Sequence, residues 1–250
     1  MYVATAAVYT TTTTIVAGPG GNCLLIDPAV TVADLAALAR WLGGQGLYPV
    51  AAWSTHPHWD HLLWSAAFGD VPRYATPRAV AVVARELAEL IDGMLAEAPG
   101  HDPALFGRVQ ALAGPEIGWP GPRARVYAHD AHAPGHGAVF LPDTGVLIAG
   151  DMCSDTEIPL LDLAADLTAG DPFGGYREGL GVLAGIPGVK AVVPGHGHVG
   201  DAAEFRRRIA ADLRYLEAVG AGIDFPDDRL TEDWLRAEHA RALTRARATR

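Results

Sequence analysis

A short segment of the chain, STHPHWDH (54–61), concentrates side chains that bind metal ions. His56 and His58 are two positions apart, and in an extended segment such residues point to the same side, so both imidazoles can reach one ion. Asp60 and His61 are adjacent and cannot simply continue that face. Four ligands in so short a segment are difficult to arrange around one tetrahedral ion with bonds of roughly 2.0–2.2 Å. The segment therefore favours two metal ions, each held by part of the motif.

Further ligand candidates follow predicted strands downstream. His136 lies in HAPGHG, Asp151 ends LIAGD, and His196 lies in VVPGHG. Glycine or proline next to each of them lets the backbone approach closely, and open α/β folds usually place their sites at such strand ends. Together with the first segment, these positions provide five histidines and two aspartates as candidate ligands.

Hydrophobic periodicity and turn residues predict the elements that must carry these side chains. Strands are predicted over 2–18, which includes the threonine run 10–14, and over 22–28, 48–54, 123–128, 137–142, 145–151 and 189–197. Helices are predicted over 31–44, 77–98, 172–186, 201–220 and 231–248. This order indicates an α/β layered domain. We expect a single domain over residues 1–250, with a helical and irregular insertion at 85–123 and C-terminal helices at 201–250.

Composition and charge limit the classes of partner. The chain has 250 residues, of which 50% are hydrophobic, and a formal net charge of −10. Such a chain repels phosphate backbones, so we expect a small-molecule substrate and no nucleic acid. It contains no apolar run of roughly 18 residues and no recognisable signal segment, so we expect no membrane partner and a cytoplasmic location. Two cysteines do not make a disulfide framework, and a homo-oligomer is compatible with the sequence.

The motifs, taken in order, resemble those of the metallo-β-lactamase fold superfamily. HPHWDH is followed by PGHG at His136, GD at Asp151 and PGHG at His196, and the strand NCLLIDP precedes them as it does in that family. The resemblance covers roughly residues 8–200 and is greatest for the lactonase and glyoxalase II-like branch. It implies a four-layer αβ/βα sandwich with the metals at one edge, between two sheets.

The resemblance also implies roles for individual residues. Seven side chains would hold two zinc ions: His56, His58 and His136 the first, Asp60, His61 and His196 the second, with Asp151 bridging them. Asp27 matches a family aspartate that supports the metal loop through its contacts with a ligand. The same ligand types also suit iron, manganese, nickel or cobalt.

The implied activity is hydrolysis of a small ester-type bond. Two divalent ions about 3.5–4 Å apart share a hydroxide, lower its pKa toward neutrality and direct it at a carbonyl carbon. Asp60 would carry a proton to the leaving group. A lactone or thioester is the leading candidate substrate and a β-lactam a further one.

The sequence also departs from the family pattern. Leu63 and Trp64 stand where many members carry small residues, and the cysteine ligand of some β-lactamases has no counterpart.

Other side chains near the motifs are candidates for contact with substrate. Trp59 and Trp64 would form an apolar wall beside the metals, and Tyr176 would present its phenol to a substrate carbonyl, with core packing as the alternative for each. His132 and Cys153 flank predicted ligands. We expect a hydrogen-bonded loop histidine and a small buried thiol at these positions.

Three other functions share parts of this pattern. A persulfide dioxygenase of the same fold uses one non-haem iron held by a subset of these ligands, whereas the complete ligand set here favours two ions. A nuclease of this fold is disfavoured by the negative net charge. A purely structural role for the metals is disfavoured, because structural metal sites are usually closed and four-coordinate.

Overall fold

Two β-sheets pack face to face in the computed structural model of the chain, which describes residues 1–163 and 171–248. The first sheet has six strands in the order β1-β2-β3-β4-β5-β6. These strands are β1 (Tyr2–Thr5), β2 (Thr12–Ala17), β3 (Asn22–Ile26), β4 (Tyr48–Trp53), β5 (Arg73–Ala75) and β6 (Gln110–Ala111). The β1–β2 and β2–β3 pairs are antiparallel, as expected for a hairpin across the GPGG turn, and the remaining pairs are parallel.

The second sheet has five strands in the order β11-β10-β9-β8-β7. They are β7 (Arg125–His129), β8 (His136–Leu141), β9 (Val146–Gly150), β10 (Ala191–Pro194) and β11 (Gly200–Asp201). Strands β9 and β10 are parallel, so both end at the same edge of the sheet. Every residue of β8 and β9 is buried, because this sheet is covered on both faces. Such strands read as continuous apolar runs rather than as an alternation.

Helices cover the outer face of each sheet. On the first sheet these are α1 (Val32–Gly44) and α2 (Pro77–Glu97), and on the second α3 (Pro172–Ala184), α4 (Ala202–Gly220) and α5 (Asp233–Ala248). Helix α1 begins with a capping box, in which the Thr31 hydroxyl accepts from the Asp34 amide and the Asp34 carboxylate accepts from the Thr31 amide. Such a box satisfies backbone donors that the first helical turn leaves free.

An apolar core fills the space between the two sheets. Val16, Leu24 and Trp53 of the first sheet belong to the same buried cluster as Ile148 and Val193 of the second. The Trp53 indole also donates to the Gly137 carbonyl at 2.9 Å, which ties the end of β4 to the start of β8. With helices outside each sheet, the predicted four-layer αβ/βα sandwich with C-terminal helices is confirmed.

The structure differs from the predicted elements at the N-terminus. The predicted strand over 2–18 is interrupted, because Tyr9 and Thr10 have positive φ values of 53° and 52°. The threonine run is therefore only partly strand, and Thr11 pairs with His196 of the other sheet instead.

Short elements are the other difference. Strands β5, β6 and β11 have only two or three residues and were not predicted, since periodicity needs longer segments to register. The segment 85–123, predicted as a helical and irregular insertion, contains the second part of α2 and the short strand β6. Among the described residues, no helix combines the length and apolar character needed to cross a membrane.

Candidate metal centre

Histidine and aspartate side chains converge where strands of both sheets end. Strand β4 ends at Trp53 and leads into the segment that carries His56 and His58, and a 3₁₀ turn at Trp59–His61 follows. Asp151 comes directly after β9 and His196 two residues after β10. His132 lies in the loop between β7 and β8. Chain positions up to 140 apart thus meet at one edge of the sandwich.

The first group of ligand atoms comes from His56, His58, His132 and Asp151. His58 Nδ1 lies 3.0 Å from His56 Nε2 and 3.0 Å from His132 Nε2. Asp151 Oδ2 lies 3.4 Å from the same two Nε2 atoms. Ligands that bind a tetrahedral ion at about 2.0–2.1 Å are roughly 3.3 Å apart. The four atoms therefore have the spacing of ligands around one ion.

The second group consists of Asp60, His61 and His196. Asp60 Oδ2 lies 3.4 Å from His61 Nε2 and 3.3 Å from His196 Nε2. Asp151 faces this group as well, with Oδ1 at 3.1 Å from His61 Nε2 and Oδ2 at 3.2 Å from His196 Nε2. One carboxylate thus contacts both groups.

The chemistry of these atoms fits a cation. His61 Nε2 and Asp151 Oδ1 are buried and face each other at 3.1 Å, but neither makes a well-aligned hydrogen bond within the described part of the chain. A buried polar atom without a partner is costly, and a metal ion would satisfy both atoms. Imidazole and carboxylate ligands suit zinc and iron among other divalent metals.

The electrostatics of the site also call for positive charge. Burial works to lower the pKa of the His61 imidazole, but the carboxylates of Asp151 and Asp60 raise it well above its usual value. Burial works to raise the pKa of the Asp151 carboxyl, but the imidazoles of His196 and His61 hold it well below its usual range. The carboxylates are therefore ionised and attract a proton or a metal ion to the histidines between them.

Asp27 supports the second group from behind. Its carboxylate accepts hydrogen bonds from the Thr55 amide at 2.9 Å and the Thr55 hydroxyl at 2.7 Å. The same carboxylate lies 3.0 Å from His61 Nδ1. A carboxylate behind a ligand histidine fixes the orientation of its ring and makes the ring more basic. Asp27 is thus in contact with a candidate ligand, where the sequence predicted it.

His196 is held by two separate segments. Its Nδ1 donates to the Tyr9 carbonyl at 3.0 Å, and its own carbonyl accepts from the Ser154 hydroxyl at 2.7 Å. The buried Arg229, which precedes α5, donates to the carbonyls of Ser154 and Glu157 at 3.3 and 2.9 Å. The loop after Asp151 is therefore anchored to the C-terminal helices.

The structure places His136 outside both groups of ligand atoms. Its ring is fully buried, stacks on His56 at 5.1 Å and on His129 at 4.5 Å, and belongs to neither ligand group. His132, four residues earlier in HAPGHG, takes the position in the first ligand group that was predicted for His136. The reason is that His136 is the first residue of β8, a strand buried on both faces, whereas His132 lies in the loop that reaches the site.

The aromatic candidates separate into one that faces the site and two that do not. Trp59 lines a cavity of about 470 Å³ in front of the two ligand groups. Trp64 is buried in the core under the first sheet, where its indole donates to the Gly69 carbonyl. Tyr176 is buried in the other core, with its hydroxyl 3.4 Å from the Asp151 carbonyl. Among the residues described, neither Trp64 nor Tyr176 lines this cavity, so the structure favours the alternative of core packing for both.

Several lining residues were not predicted from the sequence. Tyr9, Glu97 and Trp234 border the same cavity although they lie far from the motifs in the chain, and Glu157, in the loop after Asp151, borders it as well. Only the aromatic or acidic character of these residues was visible in the sequence. Cys153 is a buried free thiol with a φ of 59° and does not line the cavity within the described residues.

A glycine beside the centre leads to a first prediction. A Cβ atom at Gly195 would overlap Asp151 Oδ1 and approach His61 Cε1 to 3.1 Å. Gly195→Ala should therefore displace the shared carboxylate and weaken zinc binding by at least about tenfold, measured by competition with a chromophoric chelator. Gly181→Ala is the matched control, because a Cβ there meets no atom within 4 Å. Equal zinc affinity in the two variants would contradict the role of Asp151.

The two histidines of HAPGHG allow a second prediction. His132→Asn removes a nitrogen of the first group, so we expect zinc affinity to fall at least about 100-fold in the same competition assay. His136→Asn should leave it within about threefold, once circular dichroism shows that the variant is folded. The reverse order of effects would show that His136 is the ligand.

Comparison with known proteins agrees with this geometry. A family model described as the metallo-β-lactamase superfamily matches residues 7–196. A di-iron-bound form of TTHA1623 is 25% identical, with a TM-score of 0.62 over 83% of this chain and 98% of that one. The family protein TTHA1429 from Thermus thermophilus is 21% identical, with a TM-score of 0.66 over 99% of this chain and 93% of that one.

A β-lactamase domain protein from Burkholderia ambifaria is 20% identical, with a TM-score of 0.64 over 84% of this chain and 70% of that one. No curated protein sequence matches the chain. The family model nevertheless covers well over half of the residues, including every position of the two ligand groups. The chain therefore belongs to the metallo-β-lactamase superfamily.

Proposed function

We propose that the protein is a metal-dependent hydrolase with a dinuclear centre that cleaves a small ester-type bond, a lactone or a thioester. The observation that carries this proposal is the position of Asp151, whose oxygens lie 3.1–3.4 Å from nitrogens of both ligand groups. The residues that would hold two ions, zinc in the first instance, are His56, His58 and His132 on one side and Asp60, His61 and His196 on the other, with Asp151 between them.

The residues of the chain prepare the site for hydrolysis in several ways. When bound, divalent ions supply Lewis acidity and make water nucleophilic near neutral pH. Both ligand groups border the same cavity, so a carbonyl group there lies in front of both. The loop after Asp151 and the Tyr9 segment hold His196 from two sides, which keeps the ligand nitrogens at fixed separations. Such fixed positions lower the reorganisation that a reaction requires.

Asp60 is the residue best placed to move a proton. It borders the cavity, and its Oδ2 lies within 3.4 Å of ligand nitrogens of His61 and His196. Burial works to raise the pKa of the Asp60 carboxyl, but His61 and His196 hold it well below its usual range. Asp60 is therefore ionised at neutral pH and can accept a proton and pass it to a leaving group.

The metal and the reaction have one serious alternative. TTHA1623 is described with two irons bound, so iron competes with zinc for this chain. A persulfide dioxygenase with one iron would need only part of the ligand set. The complete second group, with Asp151 facing it, supports two ions and hydrolysis.

The proposed activity can be tested with a panel of lactones, thioesters and a chromogenic β-lactam, in which acid release is followed. We expect turnover of a lactone or a thioester. His196→Asn should then lower kcat/KM at least about 100-fold, because one ligand of the second group is lost. His198→Asn is the matched control, since this neighbouring side chain is 66% exposed and belongs to neither group. Full activity in His196→Asn, or no acid release from any compound, would contradict the proposal.

A further inference from the structure

The cavity in front of the ligand groups has a wall built from outside the family's matched residues. Helix α5 begins at Asp233, beyond residue 196, and contributes Trp234, Glu238 and Arg241 to this wall. The family match therefore accounts for the ligand groups, whereas α5 accounts for part of the space in which a substrate must fit. Differences in substrate between relatives are expected in such added segments.

Two partly exposed aromatic rings line this cavity. The rings of Tyr9 and Trp234 meet edge to face, with centroids 6.0 Å apart and an interplanar angle of 72°. Tyr9 and Trp234 remain 41% and 37% exposed, so part of each ring surface is free of core packing. Leu160 and Leu161 continue the apolar lining beside them. An apolar group of a ligand would cover this surface and gain the free energy of removing it from water.

The position of Tyr9 is coupled to the metal centre. Its φ of 53° is unusual for a bulky residue, and its carbonyl accepts from His196 Nδ1 at 3.0 Å. The backbone that supports a candidate ligand thus also sets the position of the Tyr9 ring that lines the cavity. Strained backbone held by its surroundings is concentrated at functional sites.

Charge on the cavity wall disfavours an anionic substrate. Glu97 accepts a hydrogen bond from the Tyr9 hydroxyl at 3.3 Å, and Asp162 and Glu238 also line the cavity. Arg241 is the one lysine or arginine among the described lining residues, and it is already paired with Glu238 at 2.7 Å. A carboxylate on the substrate would thus meet like charge and no free basic partner on this wall.

We propose that α5 and Tyr9 select the substrate: the bond that is cleaved belongs to an uncharged molecule with a bulky apolar substituent, which packs against the exposed faces of Tyr9 and Trp234. A substrate that places a carboxylate against this wall is disfavoured. This inference rests on the proposed hydrolase activity and names the substrate class of the same site. Trp234 acts as a specificity-determining residue and takes no part in bond cleavage.

The proposal is tested with three lactones that differ in one substituent: hydrogen, phenyl or carboxylate at the same ring position. In the metal-loaded full chain, Trp234→Ala should lower kcat/KM for the phenyl lactone about tenfold, mainly through a higher KM. The same variant should change kcat/KM for the unsubstituted lactone by less than about twofold. Glu97→Gln should raise kcat/KM for the carboxylate lactone at least about threefold. Trp41→Ala is the matched control, because Trp41 has the same 37% exposure and lies in α1, away from this cavity.

Binding separates this inference from the hydrolase proposal. Cyclopentanones that carry the same three substituents cannot be hydrolysed, and their dissociation constants are measured by ligand-observed NMR on the same variants. The wild-type chain should bind the phenyl ketone at least about fivefold more tightly than the carboxylate ketone, and Trp234→Ala should remove that preference. Equal binding of the two ketones, or the same preference in Trp234→Ala, overturns the inference whether or not any lactone is hydrolysed. Absence of hydrolysis with the binding preference intact would instead count against the hydrolase proposal alone.

Discussion

The structure depends on a buried carboxylate that is shared between two groups of imidazoles. Asp151 lies within 3.4 Å of nitrogens from four histidines, and its Oδ1 makes no well-aligned hydrogen bond among the described residues. A charge so far from water is tolerated only with compensating positive charge. Without it, the ionised carboxylates and the unsatisfied imidazole nitrogens would work against folding. We infer that cation binding and the local stability of this edge are linked, as is usual for sites built from buried ligands.

The layered fold makes this concentration of ligands achievable. Strands β4, β9 and β10 end at the same edge, and the glycine at 195 lets its backbone approach the Asp151 and His61 side chains more closely than any Cβ would allow. Hydrogen bonds between the sheets, such as those from the Trp53 indole to Gly137 and from the Thr12 amide to Gly195, fix the two edges relative to each other. The rigid scaffold therefore sets ligand spacing, while the loops and α5 shape the space for a substrate.

The parts of the site that depend on local residue spacing could be predicted from the sequence. The HPHWDH segment, Asp151 and His196 were identified because ligand type and strand ends coincide there, and Asp27 because it matches an aspartate of the family that the motifs resemble. His132 was missed because the choice between two histidines in HAPGHG depends on where β8 begins, and a shift of a residue or two in a strand boundary redirects a side chain. Tyr9, Glu157 and Trp234 were also missed, since their approach to the cavity is a product of tertiary packing. Layer order and helix positions were predicted well, whereas strands of two or three residues carry no periodic signal.

The most direct measurement is the metal content of the chain, purified without added metal or chelator, by plasma mass spectrometry. We predict about two ions per chain in the wild type and loss of both in Asp151→Asn, because one carboxylate serves both ligand groups. The identity of the metal is obtained in the same measurement and decides between zinc and iron. One ion per chain in the wild type, or two that survive in Asp151→Asn, would contradict the shared centre.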